Sequence, residues 1–134
     1  MGDCVFCKIV EGKFTSYKVY EDGKFLAFLD KFPRTPGHIQ LIPKEHYRWV
    51  YDVPNFGEYF EVVKKIAEGV RKALKPRLVH LITIGDEVPH AHVHIVPRFE
   101  NDGHAVLIDM SRTIKMDDEE MADIASRIAN EISS

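Results

Sequence analysis

The sequence predicts an α+β fold, built as a five-stranded, mostly antiparallel sheet with one long helix and a C-terminal helix. Three observations carry that prediction. Tyr17–Glu21 and Phe25–Leu29 are strand-like and flank Asp22-Gly23, a hairpin signal. The elements then run as three strands, a helix, two strands and a helix, an order that favours segregated antiparallel pairing over βαβ units. Two stretches carry apolar residues at three- and four-residue spacing, the period of a helix.

Each element has its own justification. Cys4–Val10 predicts a short helix closed near Gly12. After the hairpin, Pro33, Pro36 and Gly37 punctuate a loop from Asp30 to Gly37. His38–Ile42 follows as a third strand, closed by Pro43. Phe56, Phe60, Val63, Ala67, Val70 and Leu74 form the apolar stripe of the long helix. Asn55 and Glu58 predict a capping box at its start, and Pro76 stops it. Leu78–Ile84 is the fourth strand, Gly85–Pro89 a tight turn, and His90–Val96 the fifth strand. Glu100–Gly103 is a loop. The last helix is expected from Asp117 to about Ile132, with Asp117 and Glu120 as capping box and Met116 and Met121 as hydrophobic staple. Its buried side is Met121, Ile124, Ala125, Ile128 and Ile132.

At 134 residues the chain is expected to form one domain, 1–134, with enough apolar surface to bury. No apolar run approaches the ~20 residues that span a bilayer. Met1-Gly2-Asp3-Cys4 lacks the basic and apolar blocks of a signal peptide, so a cytoplasmic setting is expected. A net charge of −3 argues against a nucleic-acid polymer as main ligand and leaves room for a small anion gripped by local donors.

Chemistry concentrates in His90-Ala91-His92-Val93-His94. Side chains at alternate strand positions share a face. The three histidines therefore present three possible uses: a hydrogen-bonded sheet face, a metal site, or a histidine that reacts with two helpers beside it. Periodicity leaves these open, with the third favoured. Cys4 and Cys7, spaced C-x-x-C, suggest a metal clip or a redox pair rather than a structural disulfide. The absence of a βαβ pattern weighs against the redox pair.

The chain resembles the histidine triad (HIT) superfamily. The residues that carry the resemblance are His90-Ala91-His92-Val93-His94-Ile95-Val96, Cys4-Val5-Phe6-Cys7-Lys8-Ile9, Phe28-Leu29-Asp30, Pro36-Gly37-His38 and Ile42-Pro43-Lys44-Glu45-His46-Tyr47. They occur in the family's order over roughly residues 4 to 98; the final stretch matches only weakly. The resemblance implies a HIT-like fold of the Hint-like, C-x-x-C zinc-containing bacterial and archaeal type. It also implies a nucleotide hydrolase or transferase acting at the α-phosphorus. A neutral imidazole is a good nucleophile near pH 7, and a nucleotidyl-imidazole divides one hard displacement into two easier ones. By similarity His92 is the nucleophile and His94 contacts the phosphate or leaving group. Cys4, Cys7, His46 and His90 would hold a structural zinc ion, a closed set of two thiolates and two imidazoles. Asp30 corresponds to the acid on the ribose hydroxyls. Val5, Phe6 and Phe28 correspond to the wall around the base, and Gly85 to a backbone donor for phosphate. His38 is read as a structural hydrogen-bonding residue.

Two departures bear on substrate. Gly85–Pro89 is shorter than the family's common phosphate loop and places Glu87 where a hydroxyl is usual, and the C-terminal segment lacks an aromatic, proline-rich tail. The favoured reading is hydrolysis of purine nucleoside 5′-phosphoramidates or adenylates. The alternatives are a dinucleoside polyphosphate (Ap4A-type) hydrolase, a non-catalytic nucleotide-binding module, and a metallohydrolase using His92 and His94 as ligands. The resemblance also implies a homodimer joined through the long helix and the fourth strand, as family members usually form.

Overall fold

The computed structural model describes residues 4–133; the expectation drawn from Met1–Asp3 lies outside them. The elements are α1 (Val5–Val10), β1 (Lys18–Glu21), β2 (Phe25–Leu29), β3 (Ile39–Pro43), α2 (Phe56–Leu74), β4 (Leu78–Ile82), β5 (Val93–Arg98) and α3 (Asp118–Ser133), with a short 3-10 turn at Val50–Asp52. The five strands form one sheet in the order β1-β2-β3-β5-β4, and every neighbouring pair is antiparallel.

Local chemistry explains the β1–β2 turn. The Asp22 carboxylate accepts from the backbone N–H groups of Lys24 and Phe25 at 2.7 and 2.8 Å, an Asx turn that starts β2. Alternation then divides the sheet into two faces. Phe25, Ala27 and Leu29 of β2, Ile39 and Leu41 of β3, and Val93 and Ile95 of β5 pack in one cluster with α2 and α3. Leu26, Phe28 and Ile42 point the other way, against Cys4 and Phe6 of the α1 segment. Both faces of the central strands are covered, and β2, β3 and β5 are buried throughout. The second face also carries Gln40, His92 and His94, so the site is built on the side opposite the two long helices.

Several boundaries and faces differ from expectation. β5 begins at Val93, because the Ala91 N–H donates to the Tyr47 carbonyl instead of entering the ladder. β4 stops at Ile82, and β3 runs from Ile39 to Pro43. The long helix buries Tyr59, Val62, Val63, Ile66, Gly69 and Val70, a face rotated from the expected stripe. Phe56 is exposed, while Phe60, Ala67 and Leu74 are only partly buried. Tyr59 was masked in the pattern by its hydroxyl, which is satisfied in the core by donating to the Leu41 carbonyl at 2.8 Å. Asn55 makes no capping bond. The C-terminal box forms as expected: Glu120 N–H donates to Asp117 and Asp117 N–H to Glu120, at 2.8 and 3.2 Å. No helix among the described residues is long and apolar enough to cross a membrane.

Candidate active site and metal centre

The polar face of the sheet opens into a pocket of about 440 Å³. Val5, Phe6, Phe28, Asp30, Gly85, His92 and His94, each expected from sequence, all line it. Phe6 meets Phe28 edge-on at 5.6 Å between ring centroids and His92 at 5.3 Å. One apolar wall thus abuts the histidine strand directly.

Hydrogen bonds assign the tautomers. His92 Nδ1 lies 2.8 Å from the His90 carbonyl. A carbonyl only accepts, so Nδ1 carries the proton and Nε2 keeps its lone pair. Burial lowers the His92 pKa, favouring that neutral ring. His38 Nδ1 accepts from the Arg34 N–H at 3.2 Å, which leaves His38 Nε2 protonated and donating to His94 Nδ1 at 2.9 Å. The neutral His94 ring therefore carries its own proton on Nε2. His92 and His94 stand with centroids 5.0 Å apart, one with a free lone pair and one with a free N–H. That combination suits attack on an electrophile together with donation to a developing negative charge.

Asp30 is buried and already heavily engaged. The Phe32 N–H donates to Oδ1 at 2.8 Å, while Arg34 Nη1 and Gln40 Nε2 donate to Oδ2 at 2.8 and 2.9 Å. Gln40 Oε1 has no hydrogen-bond partner among the described residues. Arg34, Gln40 and Met110 line the pocket and were missed by sequence reasoning. A glutamine in the otherwise apolar strand Ile39–Pro43 was the one signal available. Arg34 and Met110 lie in loops that carry no periodicity.

The loop after β4 is held from behind. Arg48 Nη1 donates to the Gly85 carbonyl at 2.7 Å, and its guanidinium stacks 3.9 Å from the Trp49 ring centroid. Gly85 has φ +81°, and a Cβ there would fall 2.7 Å from Trp49. Both conformation and space require glycine. Glu87 is exposed on the pocket wall.

A second cluster lies beside the first. Cys4, Cys7, His46 and His90 place their ligand atoms within 4.8 Å of one another. Cys4 Sγ is 3.3 Å from His90 Nδ1, and Cys7 Sγ is 3.3 Å from His46 Nδ1 and 3.5 Å from His90 Nδ1. Zinc bonds of about 2.3 Å to sulfur and about 2.0 Å to nitrogen at a tetrahedral angle set such edges near 3.5 Å. His90 Nε2 donates to the Pro43 carbonyl at 2.8 Å, turning its Nδ1 lone pair toward the sulfurs. Burial and the adjacent Cys4 push the Cys7 thiol up to about 11, a cost that a divalent cation removes. The donor set fits zinc. The three histidines of the motif thus divide, with His90 in this cluster and His92 and His94 in the pocket.

Residues 11–101 match the HIT domain family. The chain is 42% identical to an uncharacterised HIT-like protein of Borreliella burgdorferi, over 77% of this chain and 81% of that one. It is 36% identical to an adenylylsulfatase of Arabidopsis thaliana, over 75% of this chain and 54% of that protein. An adenosine 5′-monophosphoramidase of Saccharomyces cerevisiae is 33% identical, over 71% and 62% of the two chains. The solved structure of a zinc-bound histidine triad family protein from Mycobacterium smegmatis superposes with a TM-score of 0.80 at 27% identity, covering 98% of this chain and 94% of that one. The antiparallel sheet, the alternating histidines on its polar face and these matches make the chain a member of the HIT domain family.

Proposed function

We propose that the protein hydrolyses purine nucleoside 5′-phosphoramidates or adenylates through a covalent nucleotidyl-His92 intermediate. The observation that carries this reading is the His92 Nδ1 bond to the His90 carbonyl, which leaves Nε2 as the nucleophilic nitrogen in a pocket shared with His94. The Nε2 lone pair attacks the α-phosphorus, and the bond from phosphorus to the leaving nitrogen or oxygen breaks. His94 Nε2–H hydrogen-bonds the phosphate or leaving group as charge develops there. Water then opens the phosphoramidate, releasing the nucleoside monophosphate and restoring His92. Asp30 faces the ribose, Val5, Phe6 and Phe28 enclose the base, and the Gly85 backbone N–H serves the phosphate. Cys4, Cys7, His46 and His90 hold a structural zinc ion that fastens α1, and with it the base wall, to the strand of the nucleophile.

Intact-mass measurement after brief incubation with an adenylate is expected to show one added AMP. His92→Ala should abolish adduct and turnover together; turnover surviving that change rules out the nucleophile. Nucleotide affinity without turnover on phosphoramidates, adenylates or dinucleoside polyphosphates would instead indicate a binding module, and preference for the last would indicate an Ap4A-type hydrolase. Exposed Phe56 on α2 and Leu78 and Leu81 on the edge strand β4 support a homodimer joined through these elements. Sedimentation of a monomer at micromolar concentration would contradict it.

A further inference from the structure

Asp30 has little acceptor capacity left for a ligand. An ionised carboxylate offers about four lone-pair sites. Phe32 N–H, Arg34 Nη1 and Gln40 Nε2 occupy three of them. Two vicinal ribose hydroxyls cannot both donate into the one that remains.

Arg34 has the opposite surplus. Its Nε donates to the Met110 carbonyl at 2.7 Å, and its Nη1 donates to Asp30 and to the Phe32 carbonyl. Nη2 makes no hydrogen bond among the described residues, and the side chain lines the pocket at 15% exposure. A guanidinium keeps its charge and its donors sit in a rigid plane. Anchoring Nε and Nη1 therefore fixes where Nη2 points. Asp30 thus keeps one acceptor site and Arg34 keeps one donor group, on side chains joined by the 2.8 Å bond from Arg34 Nη1 to Asp30 Oδ2.

We propose that Arg34 reads the ribose in this chain: one hydroxyl donates to Asp30 Oδ1, and its neighbour accepts from Arg34 Nη2. A hydroxyl both donates and accepts, so a vicinal diol matches this pair where two carboxylate acceptors are not available. The inference rests on the nucleotide reading of the pocket. It also gives the C-terminal stretch a role in that site, because some of the contacts holding Arg34 and its loop, the Met110 carbonyl among them, come from beyond the matched residues 11–101. His104 Nε2 donates to the Arg34 carbonyl at 3.0 Å, and the Ile114 N–H donates to the Pro33 carbonyl at 2.8 Å. The buried Arg98–Asp102 pair, 2.8 Å, secures the start of that stretch.

A purely structural Arg34, neutralising Asp30 and pinning Met110, makes a different prediction: its loss weakens every nucleotide alike. Calorimetric titration of AMP, 2′-deoxy-AMP, 3′-deoxy-AMP and 2′,3′-dideoxy-AMP into wild type, Arg34→Met and Arg34→Lys separates the two. Arg34→Met is expected to weaken AMP about tenfold, the loss of one charge-assisted hydrogen bond, and dideoxy-AMP less than about twofold. Arg34→Lys supplies a cation for Asp30 and is expected to melt near wild type. It should show the same hydroxyl-selective loss, because an ammonium cannot span three partners with one planar fork. Equal losses for AMP and dideoxy-AMP, no loss, or full retention in the lysine variant overturns the assignment. Wild-type protein that binds none of the four overturns the nucleotide reading itself, and this inference with it.

Discussion

His38 is fully buried, and burial together with the Arg34 charge holds its pKa down to about 3. His94, bonded to it at 2.9 Å, is held down to about 3 by burial and by His38. Both rings are neutral in the folded protein at pH 7, as their hydrogen bonds demand. In the unfolded chain a histidine titrates near about 6.5. Below that pH the unfolded state binds protons that the folded state refuses, so the contribution is fully present above about 6.5 and is lost as pH falls toward 3. Each ring adds a slope of up to about 1.4 kcal/mol per pH unit inside that window. Urea unfolding is expected to give midpoints that decline from pH 6.5 to 4.5, above the range where paired carboxylates such as Asp102 titrate. A flat profile across that interval would mean the pair is not buried as described. At this scale the sequence identified every histidine in the site, but not which nitrogen of each ring carries the proton. That depends on carbonyls and amides from His90, Pro43 and Arg34, which come within reach only in the folded chain.

The same capping signature meets two fates. Asp117 and Glu120 exchange both bonds of the box, and among the described residues no other side chain bonds to either carboxylate. Asn55 does not cap α2; its Nδ2 donates to Glu58, and Lys24 from the hairpin takes the same carboxylate at 2.9 Å. Asp117→Ala is therefore expected to cost about 1 kcal/mol, and Asn55→Ala only a few tenths, in urea unfolding. The reverse order would show that cap geometry is not what stabilises these termini. The rotated face of α2 has a related cause. Helical periodicity shows that some stripe is apolar, but residues on the flanks of a broad stripe satisfy the spacing too. Contact with β5 and α3 decides which flank is covered, and Phe56 is left outside.

For the molecule as a whole, the Cys4, Cys7, His46 and His90 cluster joins the N-terminal helix to the histidine segment across up to 86 residues of sequence. Purified protein is expected to contain about one zinc ion per chain, and chelation should lower its melting temperature. A Cys4→Ser, Cys7→Ser double variant should melt low and respond no further to chelator. Prompt loss of activity on chelation with unchanged melting would instead favour a catalytic metal. The grouping of Cys4, Cys7, His46 and His90 apart from His92 and His94 was implied by the resemblance to the HIT family. Alternating histidines, the hairpin signal and two helical periods determined the α+β class and the polar face from sequence alone. Those features are local, and a strand or helix repeats them wherever it lies. Only the tertiary structure decided that β5 lies between β3 and β4, and that Arg34 and Met110 come to stand beside Asp30. Each depends on long-range pairing, in which residues far apart along the chain become neighbours through packing that no local period records.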